Sequence, residues 1–389
     1  MTSPLFRRAG LSVLAATLLA TALPATAANA ARTPSSERVC TETIVPLAFE
    51  SAPLVPGDTF YKANKLENQQ MFVRFCQPTA KPSSTVQVLV HGITYDHNYW
   101  NIADPDGTER YSWEAAAISA GYATLSIDRL GAGMSSHPPS YQVDINSNAA
   151  SVKALIHELR TGKIAAPVKN VPVHKVVLVG HSYGSMTSWF VASNNPEVDA
   201  VVLTGATHNI REIQSPLKVA SPLYPSFLDP AYSSKAYDPG YLTIRPGTRV
   251  DPFYAPDTDF DPRVLAADEA TKGTVTFSEL NNYPAIFRTP LDIRVPVFLL
   301  IGTKDGIFCS LDAGDMGAPC DTAEHLIASE GPQLGPHVPS VDAYIIDGAG
   351  HAINAVHTSQ ESFAAAQSWI HEKVSGGSHN HDAMPVWES

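Results

Sequence analysis

The sequence has few cysteines, and none of them has the spacing of a metal site. The four are Cys40, Cys76, Cys309 and Cys320, without a C-x-x-C or Cys/His cluster of the zinc type. This spacing disfavours a structural metal. We also expect no cofactor. Two sequence-local pairs suit an oxidising compartment and favour bridges between Cys40 and Cys76 and between Cys309 and Cys320. Four cysteines allow three connectivities, so other pairings and free thiols stay open.

Basic residues are scarce relative to acidic ones. The chain has 26 lysines and arginines against 38 aspartates and glutamates, a formal net charge of -12. An acidic surface repels nucleic acid and anionic membranes, so neither is expected as a partner. We interpret the charge as serving solubility.

A long apolar run occurs only near the N-terminus. Arg7 and Arg8 precede the apolar stretch 11–23, and an A-x-A sequence ends at Ala30. This order predicts a signal peptide over residues 1–30, cleaved near Ala30, and hence a secreted protein. A transmembrane anchor is the alternative, but threonines and a proline interrupt the run, which falls short of about 18 apolar residues. No later segment is long enough, so we expect no stable membrane anchoring.

Short β-branched apolar runs alternate with helical segments. A run such as Val86–Val90, which ends at a glycine, is typical of a strand buried on both faces. Asp144–Arg160 has the apolar spacing of a helix, with Asp144 or Ser147 as its cap. This alternation predicts an α/β fold with a mostly parallel sheet and helices on both faces. Further strands are predicted at Thr43–Phe49, Met71–Cys76, Ala123–Ile127, Val198–Leu203, Val295–Ile301 and Ala343–Ile346, and before Gly180.

Residues 206–290 break this alternation, because they are rich in Pro, Tyr, Asp and Ser and show little periodicity. A loop this long in a compact domain is usually functional, so we expect a lid between two parts of the core, 31–205 and 291–374. An irregular surface excursion is the alternative. The tail, 375–389, is expected to be disordered. Ten aromatic residues of the predicted lid could line an apolar pocket or pack the lid onto the sheet: Tyr224, Phe227, Tyr232, Tyr237, Tyr241, Phe253, Tyr254, Phe260, Phe277 and Tyr283.

A G-x-S-x-G sequence, GHSYG at 180–184, lies between a predicted buried strand and a predicted helix. At such a turn the serine is strained and exposes its hydroxyl, and the glycines let strand and helix pack without β-carbon clashes. The N–H groups that open the helix also favour developing negative charge. Ser182 is therefore the predicted nucleophile, with a serine in an ordinary turn as the alternative.

A serine hydroxyl needs a neighbouring base. Among the 14 histidines, His351 is the candidate, because GAGH follows the last predicted strand. The base needs an acid that holds its tautomer, and Asp305 follows the preceding predicted strand in the sequence IGTKD. Asp347 and Asp312 are rivals, although Asp347 is so close to His351 in sequence that a turn residue is the better interpretation.

An acyl-transfer site also needs two N–H donors for the oxyanion, each worth about 10² to 10³ in rate. We expect one from the backbone of Tyr183. The other is expected from Ile93 in HGIT, where Gly92 permits close approach of the backbone.

These motifs together resemble the α/β-hydrolase superfamily. They are HGIT at 91, DRLGAGMS at 128 (similar to the family's D-x-R-G-x-G-x-S turn), GHSYG, IGTKD and GAGH, over roughly residues 85–205 and 291–373. The resemblance implies an eight-stranded, mostly parallel sheet. It implies the same site residues: nucleophile Ser182, acid Asp305, base His351, and oxyanion donors Ile93 and Tyr183.

The chain departs from parts of that superfamily. Ser182 stands where epoxide hydrolases and haloalkane dehalogenases use aspartate, and the HGGG signature of hormone-sensitive-lipase-like esterases is absent. No lipid-attachment cysteine follows the leader. Thr94 stands where many members have proline, which leaves the exact donor of the oxyanion loop open.

Three functions are compatible with these motifs. The first is hydrolysis of small, apolar carboxylic esters or lactones through an acyl-enzyme on Ser182. The second is an amidase or aminopeptidase with the same triad, which acidic residues in the lid would allow. The third is a cofactor-free haloperoxidase or lyase, or a non-catalytic binding protein, on the same fold; the intact set of Ser, Asp and His argues against it.

Overall fold

The computed structural model describes residues 37–52, 64–210, 219–255, 257–281, 283–311 and 316–376. The predicted signal peptide, residues 377–389 of the predicted tail, and the rival acid Asp312 lie outside these ranges. Ser375, which was expected to open the tail, is instead the last residue of the C-terminal helix.

The secondary structure alternates as the sequence predicts. The strands are β1 Arg38–Ser51, β2 Asn64–Pro78, β3 Thr85–Val90, β4 Ala123–Ile127, β5 Lys175–His181, β6 Ala200–Thr204, β7 Leu223–Pro225, β8 Tyr241–Ile244, β9 Val275–Thr276, β10 Val297–Gly302, β11 Cys309–Ser310, β12 Ala318–Pro319 and β13 Val341–Ile346. The α-helices are α1 Trp113–Ser119, α2 Ile145–Arg160, α3 Tyr183–Ala192, α4 Pro262–Ala270, α5 Phe277–Asn281, α6 Tyr283–Ile286, α7 Ala323–Glu330 and α8 Ser359–Ser375. Short 3₁₀ turns lie at His97–Trp100, Ser140–Gln142, Ser226–Leu228, Gly331–Leu334 and Ile353–Ala355, and a π-helical turn at Val250–Tyr254.

The central sheet has eight strands in the order β1-β2-β4-β3-β5-β6-β10-β13. β2 runs antiparallel to β1 and β4, and the other neighbours are parallel. Strands β4, β6 and β10 are buried at every residue, because helices cover both faces of the sheet. The predicted α/β fold with a mostly parallel eight-stranded sheet is confirmed.

Helix α2 begins where its sequence provides a cap. The Asp144 carboxylate accepts a hydrogen bond from the Ser147 amide at 2.9 Å, and the Ser147 hydroxyl accepts one from the Asp144 amide at 2.9 Å. The two residues thus satisfy each other's free N–H groups in a capping box. Of the two predicted caps, Asp144 is the N-cap residue.

The first two strands are longer than their apolar segments suggested. β1 and β2 form an antiparallel pair at the edge of the sheet, where Cys40 lies directly opposite Cys76 with a Cα–Cα distance of 4.1 Å. Side chains of β1 from Val45 to Ser51 alternate between buried and exposed. Because one face of this edge strand meets solvent, its outer part carries polar residues and no continuous apolar run.

The chain between β6 and β10 adds a separate layer, which we call the insertion (residues 219–286 as described). It contains a three-stranded antiparallel sheet, β7-β8-β9, and helices α4 to α6. Within the described ranges, none of the helices combines the length and apolar character needed to cross a bilayer.

Candidate active site

Ser182 occupies a strained turn between β5 and α3. Its backbone has φ +55° and ψ -122°, a region that residues other than glycine rarely adopt. The turn is possible because two glycines allow close packing: a β-carbon on Gly184 would lie 2.0 Å from the Val90 carbonyl oxygen, and one on Gly180 would lie 2.5 Å from the Ser185 Cα. This is the geometry that the G-x-S-x-G sequence predicts.

Asp305 and His351 form a buried pair. Nδ1 of His351 lies 2.8 Å from Oδ2 of Asp305, and both side chains are fully buried. The second oxygen of Asp305 accepts hydrogen bonds from the amides of Ile307 at 2.9 Å and Phe308 at 3.2 Å. The carboxylate is therefore fixed, and its bond to Nδ1 leaves Nε2 of a neutral imidazole as the proton acceptor.

The structure brings His351 beside the serine turn. The ring centroids of His351 and His181, the residue before Ser182, are 4.9 Å apart. A β-carbon on Gly205 would lie 3.0 Å from His181 Cε1 and 3.2 Å from His351 Cε1. Nε2 of His351 is buried and has no hydrogen-bond partner among the described residues, so it is not bonded to the Ser182 hydroxyl here. Catalytic hydrogen bonds are often long without substrate and tighten when it binds.

His181 itself is a structural residue. Its Nδ1 lies 3.0 Å from the Thr204 hydroxyl, and its ring stacks on Tyr99 at a centroid distance of 4.2 Å. Burial holds the pKa of His181 well below its usual value, and the nearby His351 lowers it further. It therefore stays neutral, and His351 remains the predicted base next to Ser182.

The loop after β3 runs directly against Ser182, the predicted nucleophile. A β-carbon on Gly92 would lie 2.9 Å from the Ser182 Cβ. The amides of Ile93 and Tyr183, which were predicted as oxyanion donors, donate to no backbone carbonyl in the part of the chain that the structure describes. Two unused N–H groups next to a serine are what an oxyanion requires.

Thr94, which stands where the resemblance to the superfamily would suggest proline, has an unusual backbone conformation. Its φ is +55°, whereas a proline ring fixes φ near -65°. The backbone at this position is therefore one that proline cannot adopt.

His91 and two buried arginines hold the same loop, and sequence reasoning missed this role for all three. Burial, together with the positive charge of Arg129, lowers the pKa of His91 to about 3. Its Nε2 accepts a hydrogen bond from the Arg129 amide at 3.0 Å, so Nδ1 carries the proton and donates to the Gly92 carbonyl at 2.8 Å. Arg129 lies in the DRLGAGMS motif, which the sequence showed without indicating this role. Arg249 donates a hydrogen bond to the Thr94 carbonyl, and nothing in the sequence around Arg249 indicated this contact.

The rival acid Asp347 lies in an exposed turn. Its Oδ1 accepts a hydrogen bond from the Thr303 hydroxyl at 3.2 Å, and it makes no hydrogen bond to His351. The structure therefore places Asp305, and not Asp347, against the histidine.

The cysteines lie in the two predicted pairs, Cys40 with Cys76 and Cys309 with Cys320, at disulfide distance. The amide of Cys309 donates to the Asp305 carbonyl oxygen at 3.0 Å. The second pair thus adjoins the loop that carries Asp305.

Asp96, His97 and Asp128 are close enough to share a cation, with their ligand atoms within 4.8 Å of one another. Hydrogen bonds already occupy most of these atoms. Asp128 accepts bonds from the amide and Nδ1 of His97, each at 2.8 Å, and from the Met134 amide at 2.7 Å. The cluster therefore fastens the turn after β4 to the start of the 3₁₀ turn at His97.

A cavity of about 320 Å³ opens between the Asp305 loop and the insertion. Ile307, whose amide holds the Asp305 carboxylate, forms one wall, and the ring of Tyr283 forms another, 6.3 Å from the Tyr183 ring. The lining contains no charged side chain within the described residues: Ile210, Val219, Ala220, Leu280, Tyr283, Pro284, Phe287 and Ile307.

The aromatic residues of the insertion serve both purposes that the sequence left open. Tyr283 lines the cavity, and the Phe253 ring lies 5.8 Å from His351. Tyr237 instead stacks on His137 at 4.0 Å, and Tyr254 donates a hydrogen bond to Asp268 at 2.8 Å. Phe253 therefore lies near His351 and Tyr283 lines the cavity, while Tyr237 packs the insertion onto the core and Tyr254 bonds within the insertion.

The sequence matches the model of the alpha/beta hydrolase family over residues 87–366. The chain belongs to this family. No curated protein sequence matches it.

Several solved structures share the fold at low sequence identity. A putative hydrolase from Rickettsia typhi is 14% identical over 86% of this chain and 99% of its own, with a TM-score of 0.50. The N-acyl homoserine lactonase AidH, complexed with N-hexanoyl homoserine, is 14% identical over 87% of this chain and 100% of its own, with a TM-score of 0.50. A thermophilic esterase from Thermogutta terrifontis is 13% identical over 84% of this chain and 98% of its own, with a TM-score of 0.47.

Proposed function

We propose that the protein is a secreted serine hydrolase that cleaves carboxylic esters or lactones. The observation that carries this proposal is the buried His351–Asp305 pair, whose free Nε2 lies next to the strained Ser182 turn. In the proposed reaction His351 takes the proton of the Ser182 hydroxyl, and the serine oxygen attacks the substrate carbonyl. The amides of Ile93 and Tyr183 stabilise the oxyanion.

The rest of the cycle uses the same groups. Protonated His351 gives its proton to the leaving alkoxide as the carbonyl–oxygen bond breaks, which leaves an acyl-enzyme. Water then attacks the acyl group while His351 accepts a proton from it, and the acid leaves as the serine recovers its hydrogen. Asp305 stays ionised and holds the imidazole in the required tautomer.

The apolar cavity, which Ile307 of the Asp305 loop lines on one side, supports an acyl group without a charge as the part of the substrate that binds there. An aminopeptidase would need a carboxylate for the free amine, and no described lining residue supplies one. AidH, a lactonase with the same fold, makes lactones a reasonable class to test beside open-chain esters. We further propose that residues 206–290 act as a lid over this cavity.

The test is turnover of short-chain p-nitrophenyl esters, lactones and aminoacyl anilides. Ser182→Ala should lower kcat at least about 10⁴-fold because the nucleophile is lost. Ser188→Ala is the matched control, since its hydroxyl only bonds the Gly184 carbonyl within α3 at 2.7 Å. Equal ester turnover by Ser182→Ala and the wild type would defeat the proposal, and turnover of anilides alone would shift it to an amidase.

Secretion is tested separately on protein from the culture medium. Its N-terminal sequence should begin after Ala30 or within a few residues of it. Full-length protein retained with the cells would contradict a cleaved leader.

A further inference from the structure

Buried arginines donate hydrogen bonds to three carbonyl groups of the loop His91–Thr94. These carbonyls lie on both sides of Ile93, the predicted donor, in the sequence. Nε of Arg129 donates to the His91 carbonyl at 2.9 Å, and Nη2 of Arg129 donates to the Gly92 carbonyl at 3.2 Å. Nη1 of Arg249 donates to the Thr94 carbonyl at 3.2 Å. Both arginines are almost fully buried.

The bond to the Gly92 carbonyl also fixes the predicted donor. The Gly92 carbonyl and the Ile93 N–H belong to one planar trans peptide group, so they point in opposite directions. Arg129 and His91 both donate hydrogen bonds to the Gly92 carbonyl oxygen, which fixes the orientation of the peptide plane. The direction of the Ile93 N–H is fixed with it. Arg129 therefore sets where the Ile93 N–H points without touching the substrate.

Both arginines are anchored by carboxylates of the insertion. Nη1 of Arg129 lies 2.5 Å from Oε1 of Glu279, at α5. Nε and Nη2 of Arg249 each lie 3.0 Å from one oxygen of Asp268, at α4. The Arg249–Asp268 pair is bidentate and has a defined geometry, whereas Arg129 meets Glu279 through one nitrogen, and each carboxylate restrains the position of its guanidinium.

Buried ion pairs add little net stability to a fold, because the desolvation of both charges offsets much of their attraction. Two such pairs that converge on the same four-residue loop therefore call for another role. The loop contains a residue, Thr94, with a strained φ of +55°, and strained backbone persists only where its surroundings hold it.

We propose that Arg129 and Arg249 are positioning residues of the oxyanion hole, and that Glu279 and Asp268 make the insertion part of it. This inference rests on the proposed serine hydrolase function. The insertion then does more than cover the cavity: its carboxylates hold the guanidinium groups that aim the Ile93 N–H at the developing negative charge.

The test uses Arg129→Lys and Arg249→Lys. Lysine keeps the positive charge beside each carboxylate but lacks the planar fork that reaches the loop carbonyls. Each variant should lower kcat about 10- to 100-fold on a p-nitrophenyl ester with KM changed less than about 3-fold, since a misaligned donor weakens only the transition state. Affinity for a trifluoromethyl ketone, which forms an oxyanion on Ser182, should fall in proportion to kcat/KM.

The matched control is Asp229→Asn. Asp229 forms another buried ion pair of the insertion, 2.8 Å from Nζ of Lys272, and among the described residues it makes no hydrogen bond or ion pair with residues 91–94. This variant should lose thermal stability like the lysine variants but keep the kcat of the wild type. If one lysine variant does not fold, the other gives the same readout from the opposite end of the loop.

The outcomes separate this inference from the proposed function. Wild-type protein without Ser182-dependent ester turnover overturns both. Normal wild-type turnover, together with folded lysine variants whose kcat and ketone affinity equal those of the wild type, overturns only the positioning role. The positioning role would also be overturned if Asp229→Asn lost as much kcat as the lysine variants for the same fall in melting temperature.

Discussion

At the scale of single residues, Thr94 has an unusual backbone conformation in the loop His91–Thr94. Its backbone has a φ of +55°, which threonine tolerates poorly, glycine adopts freely and proline cannot adopt. Its hydroxyl has no hydrogen-bond partner among the described residues, so a side chain at this position contributes little polar bonding. The residue therefore acts through its backbone.

Thr94→Pro and Thr94→Gly should consequently behave in opposite ways. Proline forces a different φ on the loop, so we expect kcat to fall about 100-fold or more in the p-nitrophenyl ester assay. Glycine should stay within about 3-fold of the wild type, because it adopts the same φ without strain. Equal activity of the two variants would show that the backbone at this position is unimportant.

Buried neutral histidines should make the protein sensitive to acid. His137 stacks on Tyr237 at a ring distance of 4.0 Å, and burial lowers its pKa to about 4. The unfolded chain binds this proton near pH 6.5, but the folded chain does so only near pH 4. The unfolded state therefore takes up more protons as the pH falls, and stability is lost between these values.

The variant His137→Phe tests this at two pH values by urea unfolding. From pH 7 to pH 5 the wild type should lose about 1 to 2 kcal/mol more of its free energy of unfolding than the variant. His174→Phe is the control, because His174 is exposed. If the free energy of unfolding had the same pH dependence in His137→Phe and the wild type, the lowered pKa of His137 would be refuted as a cause of acid sensitivity.

The residues of the proposed triad could be found from the sequence because each follows an apolar run. A strand that ends at GHSYG, IGTKD or GAGH places the next residues at one edge of a parallel sheet. The contact between Arg249 and Thr94 could not be found in this way. The two residues are 155 positions apart in the sequence. The insertion has no periodic pattern of apolar residues that would predict which of its side chains face the core.

At the scale of elements, the contact between β3, β5 and α3 determines whether the serine turn can form. Gly184 opens α3 against the end of β3, where a β-carbon would meet the Val90 carbonyl oxygen at 2.0 Å. Backbone atoms of a central strand cannot move aside, so this position accepts no side chain.

Gly184→Ala should therefore prevent folding or lower the melting temperature by more than about 10 °C. Gly162→Ala is the control, since Gly162 follows α2 with a φ of +72° and open space around it, and should cost only about 1 kcal/mol. Circular dichroism melts of both variants check this. A stable, active Gly184→Ala protein would mean that the turn is packed differently.

The elements of the core were predictable, whereas those of the insertion were not. Strand β4 was predicted with its observed ends, because a strand buried on both faces reads as a continuous apolar run. Strands β7, β8 and β9 have two to four residues each and pair antiparallel at one side of the core. Segments this short contain too few residues to show an alternating pattern.

For the whole molecule, the two cysteine pairs stabilise the fold at very different distances from the site. Cys40 and Cys76 join the two outermost strands at the far edge of the sheet, 36 residues apart in sequence. Cys309 and Cys320, 11 residues apart, close the loop that follows Asp305.

Replacing each pair by alanine should separate stability from activity. Each double variant should lose about 2 to 4 kcal/mol in the free energy of unfolding, slightly more for the longer loop of Cys40 and Cys76. Only Cys309→Ala with Cys320→Ala should also lower kcat, because loss of the bridge frees the loop whose amide at position 309 bonds the Asp305 carbonyl oxygen. Equal ester turnover in both double variants would show that this loop needs no such support.

The central claim is that Ser182 is a nucleophile activated by His351, and covalent labelling tests it most directly. A fluorophosphonate should add once to the folded wild-type protein, and peptide mass spectrometry should locate the adduct on Ser182. Ser182→Ala should not react, and His351→Ala should react at least about 100-fold more slowly, because no base takes the serine proton. An adduct that persists in Ser182→Ala, or a folded wild-type protein that does not react, would contradict the account.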